Sequence, residues 1–154
     1  KDSVNKSNNG GWQSPDLNIE DIQNTPLQKI VETLFGVFEK VSEEYPVNKV
    51  SSISNMWLNI NRKGNSNYRH VHGRSTWSGA FYISAPENCG NFVAERADNA
   101  DLIWLMDNKT PATTVSMQVT PKDGLLVFFP SWMPHLVLPS QTDEPRISLS
   151  FNFV

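Results

Sequence analysis

The stretch Arg146-Ile147-Ser148-Leu149-Ser150-Phe151-Asn152-Phe153 alternates polar and apolar residues without a break. Such a pattern belongs to an extended strand, because successive side chains there point to opposite faces. One face of this strand is entirely apolar. The other carries a cation and small hydrogen-bonding groups. On a lone strand that polar face would lie in water; inside a sandwich or barrel it would line an interior.

The same period of two recurs upstream. Met56, Leu58 and Ile60 alternate with Trp57, Asn59 and Asn61. Trp77, Gly79, Phe81 and Ile83 alternate with Ser78, Ala80, Tyr82 and Ser84. Asn91 to Glu95 reads as a short strand, and Thr113 to Thr120 as another by its β-branched content. Leu125 to Phe129 is apolar throughout and reads as a buried central strand. Gly64 to Asn67, Pro86 to Gly90 and Pro121 to Gly124 supply turn residues between them. Ala97 to Pro111, with Leu102 to Met106 between polar flanks, reads as a lid, an irregular insertion or a short helix.

One helix is expected, over 25–45. Thr25-Pro26-Leu27-Gln28 has the form of a capping box with proline at the first helical position. Leu27, Ile30, Val31, Leu34, Phe35, Phe38 and Val41 then form one apolar stripe at spacings of three and four. Tyr45-Pro46 ends it, since the residue before proline avoids the helical region. The stripe needs a flat apolar partner, the outer face of a sheet. Residues 1–24 read as an irregular arm docked through Trp12. Together these features predict one domain over 1–154: an all-β core over 47–154 with a single main flanking α-helix. The polar strand faces, with Arg146, Ser148, Tyr82 and Ser78, then line an interior pocket.

Composition narrows the function. A net charge of −3 over 154 residues argues against a nucleic-acid binder that works through a bulk positive field. No apolar run reaches the length of a membrane span. The single cysteine, Cys89, excludes an intrachain disulfide. With polar first residues and no signal peptide in view, the expected location is cytoplasmic. Partners are expected to be a small-molecule or a peptide or protein substrate, without nucleic acid or membrane.

The three histidines are the chemical centre of the sequence. His70 and His72 stand at i and i+2, so on an extended segment they point the same way. His135 follows in Phe129-Pro130-Ser131-Trp132-Met133-Pro134-His135. A third imidazole from a distant strand closes a metal face, and a facial set with open positions suits oxygen-activating iron.

These residues resemble the iron- and 2-oxoglutarate-dependent oxygenases. Their pattern is His-x-Asp on an early strand, a distal histidine and then an arginine. Here His70-Val71-His72, His135 and Arg146 stand in those places, and Arg146-Ile147-Ser148 is similar to the Arg-x-Ser pair of many members. Within that superfamily the chain resembles more closely a mostly uncharacterised His-x-His group of 2-oxoglutarate/iron oxygenases. The likeness rests on Gly10 to Ser14, His70-x-His72, Ser78-Gly79-x-x-Tyr82, Gly124-x-Leu126-x-x-Phe129-Pro130-Ser131-Trp132 and Arg146-Ile147-Ser148-x-Ser150-Phe151-Asn152. Members carry more sequence before Gly10, so the chain looks N-terminally shortened.

The resemblance implies a double-stranded β-helix (jelly roll). It implies Fe(II) as cofactor, with metal ligands His70, His72 and His135. It implies 2-oxoglutarate as cosubstrate, held by Arg146 with Ser148, Tyr82 and Asn59. The implied reaction hydroxylates a substrate while 2-oxoglutarate is decarboxylated to succinate. His72 departs from the usual carboxylate. It is read as a direct ligand, with two alternatives: His72 behind the metal, with water or a carboxylate such as Glu95 or Asp98 in the vacant place, or a degenerate site. Two other functions remain open at this stage. One is a cupin-like three-histidine dioxygenase that does not use 2-oxoglutarate; the other is a non-enzymatic jelly-roll binding module.

Overall fold

The structure is a computed structural model that describes residues 2–44, 52–98 and 114–154. Among the described residues ten strands and two helices follow one another: β1 (Asn8–Asn9), β2 (Trp12–Gln13), α1 (Ile19–Ile22), α2 (Pro26–Glu44), β3 (Ile53–Asn61), β4 (Ser66–His70), β5 (Trp77–Ser84), β6 (Phe92–Glu95), β7 (Ser116–Val119), β8 (Leu126–Pro130), β9 (His135–Val137) and β10 (Arg146–Phe153). They form two five-stranded sheets, in the orders β1-β4-β9-β6-β7 and β2-β3-β10-β5-β8. Every pairing is antiparallel. Residues of both sheets line one cavity, so the polar strand faces look inwards as expected.

β10 is the middle strand of the second sheet, between β3 and β5. Its apolar residues Leu149, Phe151 and Phe153 are fully buried. They join Met56 of β3 and the α2 residues Val31, Leu34 and Phe38 in the main core. Phe38 stacks on Phe153 at 4.9 Å between ring centroids and meets Trp77 and Phe128 edge-on. The helix stripe therefore covers the outer face of this sheet. Removing large apolar side chains from water is the dominant favourable term here. Gly79 of β5 is a point of very close packing in this sheet. A Cβ at this position would lie 2.5 Å from Phe151 Cζ and 2.8 Å from the Val127 carbonyl oxygen, so only glycine lets the strands and the ring approach this closely.

The structure corrects several expectations. The segment over 1–24 is mostly irregular but is tied into the sheets: β1 pairs with β4, β2 pairs with β3, and α1 follows. Strands two residues long gain their partners through main-chain hydrogen bonds, which side-chain composition does not reveal. The residue sealed into this edge is Gln13 rather than Trp12, which stays half-buried. The helix is Pro26–Glu44, but the capping box does not form as expected. The Thr25 hydroxyl donates back to the Ile22 carbonyl at 2.6 Å, and Gln28 Oε1 accepts from the Asn24 amide at 2.8 Å. The short α1 sits directly before the helix and offers Thr25 a closer acceptor. β8 is an edge strand and mostly half-buried, not central; its apolar run packs on α2 from one side and on the cavity from the other. Thr113, and residues 99–111 of the expected lid or insertion, lie outside the described residues.

Candidate metal centre

His70 ends β4 and His135 opens β9, and the two are directly opposite in the antiparallel register. Facing residues in such a pair bring their side chains to within contact distance. His72 lies just past the end of β4. Its backbone N–H donates to the Ser131 carbonyl at 2.9 Å, which ties it to the loop before His135. The ring centroids of His70 and His135 are 4.2 Å apart, those of His70 and His72 5.1 Å, and those of His72 and His135 5.0 Å. One ligand atom from each ring falls within 4.8 Å of the others.

Hydrogen bonds settle which nitrogen each ring presents. Nδ1 of His70 lies 2.7 Å from the Tyr68 carbonyl, Nδ1 of His135 lies 3.0 Å from the Met133 carbonyl, and Nδ1 of His72 lies 2.5 Å from Asn152 Oδ1. An amide or peptide oxygen only accepts, so each Nδ1 carries the proton. Each Nε2 is left with a lone pair. The Nε2 atoms of His70 and His72 approach to 3.2 Å, a contact that two lone pairs make favourably only around a shared cation. Burial pulls all three histidines below their ordinary pKa of 6.5, against the hydrogen bonds at Nδ1, and takes His135 to about 3. Neutral imidazoles are what a metal requires. Phe92 and Phe129 flank His135, with centroids at 5.4 and 4.5 Å, and wall off the ring from solvent.

At the other end of the same cavity lies Arg146, 2% exposed. Its Nη1 donates to the Cys89 carbonyl at 2.7 Å and to the Gly90 carbonyl at 3.2 Å. Among the described residues no carboxylate pairs with it. Burial lowers its pKa, and Tyr82 and Cys89 oppose that shift. A buried guanidinium without an acid is costly unless an anion arrives to neutralise it. Tyr82 and Ser148 are partners across β5 and β10, and Ser148 and Asn59 are partners across β10 and β3. Tyr82, Ser148 and Asn59 thus stand in a row beside the arginine. Burial pushes the Tyr82 phenol up to about 12, with Arg146 pulling the other way, so it remains a neutral donor. Asn59 Nδ2 donates one of its two N–H groups to Ser150 Oγ at 3.1 Å, so the second N–H is the one it can offer to an anion in the cavity. The cleft between the histidines and the arginine holds about 510 Å³ of atom-free space, part of it open to solvent.

All seven residues singled out as ligands or cosubstrate contacts therefore line one cavity. Ser78 does not line it. It lies behind, fully buried, in a chain of hydrogen bonds with Ser131 and Asn152. The alternative carboxylates are engaged elsewhere: Glu95 bonds Arg69 at 2.5 Å, and Asp98 pairs with Arg96. Neither joins the histidine cluster. Asn152 was not singled out as a site residue; its signals in the sequence were its place on the polar face of β10 and at the end of the stretch that carries the family resemblance.

Residues 55–152, from within β3 almost to the end of β10, match the family described as "Putative 2OG-Fe(II) oxygenase". This chain belongs to that family. Its cofactors are accordingly Fe(II) and 2-oxoglutarate, and the histidine cluster fits the iron. The cupin-like reading without 2-oxoglutarate and the binding-module reading give way to this assignment. Solved structures agree on the fold. A prolyl-4-hydroxylase from Pseudomonas putida is 19% identical with a TM-score of 0.67, covering 94% of this chain and 71% of its own. A Trichoplax adhaerens prolyl hydroxylase, solved with a hypoxia inducible factor oxygen degradation domain peptide, is 12% identical with a TM-score of 0.62, covering 82% and 55%. The alpha ketoglutarate dependent carbocyclase SnoK from nogalamycin biosynthesis is 10% identical with a TM-score of 0.67, covering 98% and 66%. The chain thus spans between 55% and 71% of these proteins. At such identities the likeness establishes the jelly-roll fold. No curated protein matches the chain. Among the described residues no helix is long and apolar enough to cross a membrane.

Proposed function

We propose that the oxygenase hydroxylates a C–H bond of its substrate, with iron held by Nε2 of His70, His72 and His135. Arg146 binds the remote carboxylate of 2-oxoglutarate, and Tyr82, Ser148 and Asn59 supply further hydrogen bonds to it. One observation carries this reading: three Nε2 lone pairs converge at one end of a cavity whose other end holds a buried guanidinium with no carboxylate partner among the described residues.

When bound, the iron supplies the site for dioxygen activation, and the balance is substrate C–H, O2 and 2-oxoglutarate giving C–OH, succinate and CO2. The residues of the chain do the rest. Three neutral imidazoles orient the metal and leave other positions open. They add no negative charge, so the dianionic cosubstrate brings the neutralising charge that an aspartate would otherwise share. The planar fork of Arg146 fixes that dianion by parallel hydrogen bonds. Phe92, Phe129 and Trp57 keep bulk water from the reacting end.

The first test is anaerobic titration of iron(II) and 2-oxoglutarate into metal-free protein, following the weak visible charge-transfer band of the chelated complex. The band is expected in the unmutated protein and is lost or weakened in His72→Ala and Arg146→Ala. Absence of both band and retained iron overturns the reading. Because the fold also serves a carbocyclase, a product mass increased by one oxygen atom is the criterion for hydroxylation, measured alongside succinate.

A further inference from the structure

His70 and His135 are both oriented by main-chain carbonyls, each from the residue two positions earlier. His72 is different: its Nδ1 rests on a side chain, Asn152 Oδ1, from the middle strand of the opposite sheet. The amide is itself fixed on three sides. Ser78 Oγ donates to Oδ1 at 2.7 Å, and Ser78 in turn bonds Ser131 at 2.7 Å. Asn152 Nδ2 donates to Asn55 Oδ1 at 2.8 Å. Ser78 and Ser131 are fully buried, and Asn152 is 7% exposed. With the Ser78 proton given to Asn152, Ser131 must be the donor to Ser78. Turned over, the amide would set its oxygen against the Asn55 oxygen, and Asn55 is itself held through Nδ2 by Asp16 Oδ2 at 3.5 Å. The Asn55 contact, independently of His72, therefore points the Asn152 oxygen towards His72.

We propose that Asn152 is the positioning residue of the metal centre, holding His72 with Nδ1 protonated and Nε2 aimed at the iron. The relay from Ser131 through Ser78 keeps Asn152 itself in place. The proposal rests on the metal reading above. It also gives a physical reason why a histidine serves where a carboxylate is usual. A carboxylate on a short side chain binds in either orientation of its two oxygens, whereas an imidazole binds only if its tautomer and ring angle are set by a second group. Partners of this kind orient the ligand and raise its basicity.

The test uses the full chain in two states. In metal-free protein, long-range nitrogen–proton correlation spectra of the histidine rings report which nitrogen carries the proton. His72 is expected as the Nδ1–H form. In Asn152→Leu, which keeps the bulk but removes the acceptor, His72 is expected to shift towards Nε2–H while His70 and His135 stay as they were. In a parallel titration, cobalt(II), followed by its visible ligand-field spectrum, is expected to bind about 10- to 100-fold more weakly to Asn152→Leu. Asn152→Asp restores an acceptor towards His72 at the expense of the Asn55 contact, and is expected to recover both the tautomer and cobalt binding. A His72 found as Nε2–H in the unmutated protein overturns the proposal without any variant. So does a tautomer and a cobalt affinity, within threefold, that are indifferent to Asn152→Leu. Failure of the unmutated protein to take up cobalt at all overturns the metal reading instead, while the ring spectra still decide whether Asn152 sets the tautomer.

Discussion

Replacing Arg146 tests the cosubstrate end of the cavity most directly. Nη1 is occupied by the Cys89 and Gly90 carbonyls. The fork made by Nε–H and Nη2 is then the side available to an incoming carboxylate, and it can make two parallel charge-assisted bonds. At about 1.5 kcal/mol for each bond, the low end for charged partners, the fork contributes about 3 kcal/mol. That corresponds to roughly 140-fold in Kd at 1.4 kcal/mol per decade. Arg146→Leu is therefore expected to weaken 2-oxoglutarate about 100-fold. Arg146→Lys keeps a point charge but loses the fork, and is expected to fall in between, at about tenfold. Both variants strip a donor from two carbonyls in a buried setting, so stability drops as well, by about 1–3 kcal/mol. The assay is calorimetric titration of 2-oxoglutarate into the anaerobic cobalt(II)-loaded protein, at a temperature where each variant still unfolds cooperatively. A Kd for Arg146→Leu within threefold of the unmutated value would refute the assignment of Arg146 as the anion anchor.

Three further outcomes follow from the geometry. Gly79→Ala drives a methyl group into the Phe151 ring and the Val127 carbonyl, and should cost about 1–3 kcal/mol by overpacking, read as a lowered denaturant midpoint at unchanged slope. Burial lowers the folded-state pKa of all three histidines from 6.5. The unfolded chain then binds more protons below 6.5, so the metal-free protein should lose stability as pH falls from there towards about 3, the value for His135, and should gain nothing from these groups above 6.5; a midpoint that rises on mild acidification would contradict this. Cobalt(II) at about 100 times its Kd should stabilise the fold by about 2.7 kcal/mol, raising Tm by roughly 5–10 °C for a chain of this size, and a chelator should reverse the rise.

The period-two strands gave away most of the architecture. In β10 the alternation separates two faces, and the structure puts Leu149, Phe151 and Phe153 in the core and Arg146, Ser148 and Ser150 on the cavity. Much of the site followed from that, because His70, His135 and Arg146 fall on strand positions with a determined face, while His72 lies just past the end of β4. What stayed illegible depended on partners distant in sequence. The pairing of β2 with β3 and of β1 with β4 is made by main-chain groups common to every residue. The edge position of β8 depends on sheet order, not on its own apolar run. The role of Asn152 required its 80-residue separation from His72 to be closed by the fold. The choice of Nε2 over Nδ1 likewise depended on acceptors that no local pattern names.

β10 also constrains how the family can vary. One strand serves two unrelated purposes: alternate residues hold the helix on one side and carry Arg146, Ser148, Ser150 and Asn152 on the other. Substitutions can be accepted on either face separately. A single inserted or deleted residue cannot, because a slip by one exchanges every side chain between the faces. It would send the arginine into the aromatic core and a phenylalanine into the cosubstrate cavity at the same stroke. Drift in length is therefore confined to the loops at either end of β10, and the strand itself evolves by replacement alone.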